Sequence, residues 1–93
     1  MEALTARLLR IHGRVQGVGY REAMRQEAVR LALHGWVRNR GDGTVEALVH
    51  GAQMNVERMI EWARRGPRYA QVEEVAVSPA EPPDTAEFSI RFD

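Results

Sequence analysis

Gly13-Arg14-Val15-Gln16-Gly17-Val18-Gly19-Tyr20-Arg21 decides how this chain folds, because a strand pattern enters it and a helix pattern leaves it. Before it, Leu9 and Ile11 alternate with Arg10 and His12 up to Gly13, the period of a half-buried strand. After it, from Arg21 to Leu33, Met24, Ala28, Leu31 and Ala32 recur at helical spacing, and Gly35 reads as the stop. Trp36 to Arg40 predicts a second strand, and Gly41-Asp42-Gly43 a hairpin turn, since Asp-Gly tolerates the positive φ such turns need. Thr44 to His50 is a third strand, with Val45, Ala47 and Val49 set against Glu46, Leu48 and His50.

Further on, Val56, Met59, Ile60 and Ala63 make a second helical stripe that ends at Gly66-Pro67. Val72 to Val77 and Glu87 to Phe92 read as strands, separated by a loose connector from Pro79 to Thr85. The order is β-α-β-β-α-β with one short extra strand at the C-terminus. Two helices of this length cover one face of a small antiparallel sheet, so the expected fold is an α+β two-layer sandwich. A strand–helix–strand unit makes its two strands parallel, so their carboxyl ends share one sheet edge with the glycine-rich loop.

With 93 residues, positions 1–93 form one domain, and folding buries roughly 60–65% of the extended chain's surface. Thirteen arginines balance thirteen acidic residues, which argues against broad electrostatic capture of nucleic acid or of an anionic membrane. The absence of cysteine excludes disulfides and thiolate metal sites. No apolar run approaches the ~18 residues of a membrane span, and Met1 to Arg10 lacks the order of a secretory leader, so the expected location is the cytoplasm.

The loop itself suits a tetrahedral anion. Its glycines let successive backbone N–H groups point into one concavity, and the following helix adds orphan N–H donors and a positive dipole end. Arg21 contributes a planar fork of donors able to hold two phosphate oxygens. Neither a Walker A loop nor a dinucleotide fingerprint fits, because no Gly-Lys-Ser/Thr follows and Glu22 occupies the third glycine position. On glycine count alone, a tight strand-to-helix turn beside an exposed Arg explains the stretch as well. Asn39, two residues after Val37, belongs to the helix-covered face at the sheet edge opposite the loop. Its carboxamide can donate to and accept from a water, although an Asn there can also merely open the following turn.

Together, residues 13–21 and Gly35-Trp36-Val37-Arg38-Asn39 closely resemble the acylphosphatase family. Asp42-Gly43-Thr44-Val45-Glu46, Gly51, Gly66-Pro67, Ala70 and Val72 also match, so the resemblance spans nearly the whole chain. Two departures stand out: Tyr20 where Phe is usual, and Ala32 in place of a common glycine. The resemblance implies a ferredoxin-like sandwich that hydrolyses acyl phosphates to a carboxylate and inorganic phosphate. It further implies that Arg21 binds phosphate and Asn39 orients the attacking water. The backbone N–H groups of Gln16, Gly17, Val18, Gly19 and Tyr20 would cradle the phosphoryl oxygens. No metal and no cofactor are expected, and the expected partner is a small acyl phosphate met by a monomer.

Other residues read as bystanders. His12 and His50 alternate onto the open sheet face as solvated side chains, and His34 falls in a helix-to-strand turn. Glu22 complements the helix dipole; Arg64, Arg65 and Arg68 form a solvated basic patch; Met24, Met54 and Met59 fill the core. Two other functions compete. An RNA-binding sheet needs stacking aromatics on its first and third strands, and both lack them. A non-catalytic anion- or small-ligand-binding module on the same fold has no use for Asn39 beside a water.

Overall fold

Leu9 and Ile11 sit at the centre of the longest strand of the computed structural model, which describes residues 3–93. Met1 and Glu2, the start of the stretch read as lacking leader order, lie outside the described residues. The elements follow as β1 (Leu4–Arg14), α1 (Tyr20–Arg30), β2 (His34–Asn39), β3 (Val45–Ala52), α2 (Gln53–Arg65), β4 (Gln71–Pro79) and β5 (Phe88–Arg91). The sheet order is β4-β1-β3-β2-β5. β1 pairs antiparallel with β3 and β4, and β3 pairs antiparallel with β2, so β1 and β2 run parallel as the crossover requires.

β5 adds to β2 in parallel, so the sheet is mixed. The chain's route leaves no other direction. β4 descends against β1 and ends with Pro79 opposite Arg7, at the edge far from the glycine loop. Residues 80–87 then cross to the outer side of β2, four strand spacings or about 19 Å away. Eight residues reach about 27 Å when extended. Phe88 therefore enters beside Gly35, at the start of β2, and the strand must climb back toward the loop.

Both helices lie on one face. Leu9, Ile11, Val37, Val45, Ala47 and Val49 point inward from the sheet, and each is fully buried. Tyr20, Met24, Ala28 and Leu31 supply the stripe from α1 and its C-terminal turn, and Val56, Met59 and Ala63 the stripe from α2. Met24 and Met59 are core residues, whereas Met54 is exposed and plays no part in it. Arg64, Arg65 and Arg68 are exposed, as expected of a solvated patch.

Gly13, Gly35 and the end of α1 depart from the sequence reading, each for a backbone reason. Gly13 belongs to β1 and not to the loop. The β1–β4 register slips between His12 and Gly13, and a Cβ there would stand 2.1 Å from the Gln71 carbonyl oxygen. Gly35 does not stop α1. It sits inside β2, where a Cβ would meet the Leu48 carbonyl oxygen at 1.8 Å. The helix stops earlier, at Ala32, which takes the left-handed φ of 57°. Ala32 N–H donates to Val29 O (3.0 Å) and Leu33 N–H to Ala28 O (2.9 Å), the two bonds of a Schellman motif. The departure from glycine at this position thus falls where the backbone most favours glycine.

The open face carries charge. Glu46, only 5% exposed, accepts from Arg38 at 2.8 Å, Arg40 at 3.2 Å and Arg10 at 3.3 Å. Burial pushes its carboxyl up, but the Arg38 and Arg10 hydrogen bonds outweigh burial and hold its pKa below the usual carboxylate range. Arg38 and Arg91 lie over the Trp36 ring at 5.1 and 4.8 Å. His12 and His50 do occupy this face, but half-buried, and His34 is the first residue of β2, opposite His50.

Two outcomes follow from these placements. Ala32→Gly removes the left-handed cost of a Cβ and should stabilise the protein by about 1 kcal/mol, read from denaturant unfolding. A neutral or destabilising result would deny strain at the cap. Glu46, with its folded pKa lowered, contributes stability above the ordinary carboxylate pKa of about 4.3 and loses it as pH falls through the folded value. Glu46→Gln should therefore be the less stable protein at pH 7, with the gap closing as pH falls below the ordinary carboxylate range. A gap that stays constant with pH would contradict the assignment.

Candidate active site

Three carboxyl ends meet at one edge of the sheet: Arg14 of β1, Asn39 of β2 and Arg91 of β5, together with the N-terminus of α1. Between them lies a cleft of about 170 Å³, lined by Gly17, Gly19, Tyr20, Arg21, Glu22 and Asn39, with Val15, Ile90 and Phe92 as its apolar wall. That volume is below the roughly 300 Å³ at which pockets for drug-sized ligands begin, so it suits a small ligand, and the cleft is open to solvent on the Phe92 side.

The loop is held from both ends. Val15 is buried in the core. The Gln16 side-chain amide reaches across and donates to the carbonyl oxygens of Arg40 (2.8 Å) and Thr44 (2.9 Å), tying the loop to the β2–β3 hairpin. Gly17 and Gly19 both take positive φ, 74° and 78°, with open space where a Cβ would stand, so the requirement is conformational. Gly19 in the left-handed region is followed directly by the helical Tyr20, the alternation that aims successive N–H groups into one concavity. Of the residues expected to cradle phosphate, Gly17, Gly19, Tyr20 and Arg21 line the cleft. Gln16 and Val18 are not among its lining residues, and the Gln16 carboxamide is engaged on the hairpin.

Arg21 makes no ion pair among the described residues, and its guanidinium carbon lies 5.1 Å from the centre of the Phe92 ring. The neighbouring Glu22 does not neutralise it. Its carboxylate accepts from Arg25 at 2.8 and 2.6 Å and from Gln26 at 3.0 Å, and these bonds pull its pKa down to about 2. A group that anionic cannot donate a proton at neutral pH.

Asn39 stands opposite the buried Val45 on the helix-covered face, as alternation requires. It does not open the turn. That work falls to Asp42, whose Oδ1 accepts from the Thr44 N–H (3.0 Å) and hydroxyl (2.6 Å). The Asn39 amide oxygen is buried without a hydrogen-bond partner. A buried carboxamide oxygen left unpaired costs about 1–3 kcal/mol, and here it borders the cleft.

A family model described as Acylphosphatase matches residues 8–90. The chain belongs to the acylphosphatase family. An acylphosphatase of Azoarcus sp. (strain BH72) is 59% identical over 91% of this chain and 87% of its own. Among solved structures, an acylphosphatase from Coxiella burnetii matches with a TM-score of 0.90 at 34% identity, covering 95% of this chain and 93% of that one. One from Bacillus subtilis matches with a TM-score of 0.87 at 34% identity, covering 96% and 99%.

Two features of this acylphosphatase site escaped the sequence reading. Ile90 and Phe92 reach the cleft because β5 is parallel to β2; their alternation was visible, but the direction of their strand was not. The second is the Tyr20 hydroxyl, which donates to the Ala63 carbonyl oxygen at 2.7 Å. The residue four beyond Ala63 is Pro67, which has no N–H, so this carbonyl cannot be satisfied by a further helical turn. Tyrosine in place of phenylalanine thereby ties the N-terminus of α1 to the C-terminal turn of α2. The ring also packs on Trp62 at 5.5 Å, and burial pushes the phenol well above its ordinary pKa.

Tyr20→Phe should therefore cost about 1 kcal/mol of stability through the orphaned Ala63 carbonyl, while the inhibition constant of inorganic phosphate changes little. Unfolding curves and phosphate inhibition measured on the same variant check both halves. A large loss of phosphate binding without loss of stability would instead put the hydroxyl in the site.

Proposed function

We propose that Arg21, with the backbone N–H groups of Gln16 to Tyr20, holds the phosphoryl group of an acyl phosphate while Asn39 orients the attacking water. The chain is an acylphosphate hydrolase, and its substrate is a small acyl phosphate. The observation that carries the residue roles is the pairing at one sheet edge of an arginine without an anionic partner and a carboxamide whose buried oxygen has none.

The chemistry asks little of a protein beyond placement. Water attacks phosphorus as the bond from phosphorus to the acyl oxygen breaks, and the carboxylate leaves without needing a proton. Both water protons end on the released phosphate, so an acyl phosphate dianion yields one carboxylate and one dihydrogen phosphate, and charge balances without an enzymic base. A loose transition state gathers negative charge on the peripheral oxygens. Arg21 and the loop amides are suited to meet that charge, and Asn39 to set the line of attack. Because the departing carboxylate needs neither a proton nor a Lewis acid, the proposed reaction is metal-independent. We further propose that the enzyme acts as a monomer in the cytoplasm.

Kinetics on a simple acyl phosphate test this assignment. Arg21→Lys keeps the charge but loses the fork and should lower kcat/KM by roughly 10³ or more. Asn39→Ala should lower kcat with phosphate inhibition nearly unchanged, and turnover should survive EDTA. Phosphate binding lost with kcat preserved in Asn39→Ala would make this residue a substrate ligand; activity abolished by EDTA and restored by Mg²⁺ would require a metal.

A further inference from the structure

Phe92 is the most exposed large apolar side chain in the described structure, at 84%, yet it is part of the wall of the cleft that holds Arg21 and Asn39. Folding gains little from a phenyl ring left in water. It directly follows β5, whose parallel pairing with β2 carries the strand's end to this edge. Ile90, two residues earlier on the same face, is half-buried and continues the apolar wall inward. The Arg21 guanidinium carbon lies 5.1 Å from the ring centre, so a phosphoryl group on Arg21 is held close beside this ring.

Geometry then limits where the rest of a substrate can go. The acyl carbon is separated from phosphorus by a single bridging oxygen, so the acyl substituent must leave the phosphate cradle within a few ångströms. The polar side of the cleft is occupied by the loop and by Glu22, which stays anionic and committed to Arg25. The apolar side is Ile90 and Phe92. We propose that Phe92, with Ile90, is the seat of the acyl group, and that it makes this enzyme selective for acyl phosphates with a flat apolar substituent over those with a methyl alone. The inference rests on the acylphosphatase reading above and deepens it by naming the substrate class.

The test compares benzoyl phosphate with acetyl phosphate in the unsubstituted enzyme, Phe92→Ala and Phe92→Leu. The unsubstituted enzyme should favour benzoyl phosphate in kcat/KM. Phe92→Ala should shrink that preference about tenfold, the change expected when one face of a phenyl ring loses its apolar contact. The loss should appear mainly as a higher KM for benzoyl phosphate, and inhibition by inorganic phosphate should change less than twofold. Phe92→Leu, which keeps an apolar surface without the flat ring, should fall between the two. An unchanged preference in Phe92→Ala would overturn the seat while leaving the reaction standing. A parallel loss on both substrates with weaker phosphate inhibition would also overturn it, and would make Phe92 a support for Arg21 alone. Failure of the unsubstituted enzyme to hydrolyse either compound would instead remove the acylphosphatase reading on which the seat depends.

Discussion

The need to bury one face of a five-stranded sheet under two helices governs where everything else in this protein can stand. Leu9, Ile11, Val37, Val45, Ala47 and Val49 can leave water only if α1 and α2 cover the same side. A helix joining β1 to β2 on that side forces the two strands parallel. Their carboxyl ends, the loop between β1 and α1, and the positive end of α1 are then brought to one edge by the same requirement that makes the core. The connector after β4 extends the logic, because a chain that has descended along β1 must climb along β2. The site is thus a product of topology before it is a product of any side chain.

Local costs at that edge are met by contacts just behind it. The cleft keeps a guanidinium without an ion pair, an amide oxygen without a partner and two left-handed glycines. The unpaired amide oxygen lowers stability relative to a paired one, and the glycines cost backbone entropy on folding. Opposing them are the Gln16 bonds to the Arg40 and Thr44 carbonyls and the Tyr20 bond to the Ala63 carbonyl, all between segments far apart in sequence. These bonds fix the loop against the hairpin and α1 against α2, which on the proposed reading leaves the polar groups facing the cleft in place for an arriving anion. Preorganisation of that kind is what a reaction dominated by charge and alignment requires.

Much of this was legible in the sequence, and the misses are of two kinds, distant partners and local backbone choices. Period-2 and helical spacing located all seven elements, and alternation from Val37 put Asn39 on the correct face, because both depend only on near neighbours along the chain. Misses of the first kind depended on partners distant in sequence. Gly35 looks like a helix stop until the Leu48 carbonyl is set against it, and Gly13 looks like loop until Gln71 is. Ala32 ends the helix through its own φ, which its side chain gives no reason to expect. The open-turn role first available to Asn39 is taken by Asp42, and only the observed bonds to Thr44 settle the competition. The direction of β5, and with it the place of Phe92, is a property of the route and not of the residues in the strand.

The arginines show how one residue type takes opposite roles under one net charge of zero. On the open face Arg10, Arg38 and Arg40 converge on Glu46, and Asp93 approaches Arg38 at 3.7 Å, so positive charge there is spent on the fold's own carboxylates. On α1, Arg25 and Arg30 are held by Glu22 and Glu27 one turn earlier. Arg21 shares that helix but has no carboxylate three or four residues away on either side: Gly17, Val18, Met24 and Arg25 occupy those positions. Helical spacing therefore leaves its charge unpaired by the helix while pairing those of its neighbours. A dianion approaching the molecule meets no broad positive field. At the cleft it meets the Arg21 guanidinium at the end of a helix dipole, beside an apolar wall, where a charge acts with less screening than it would on an open surface.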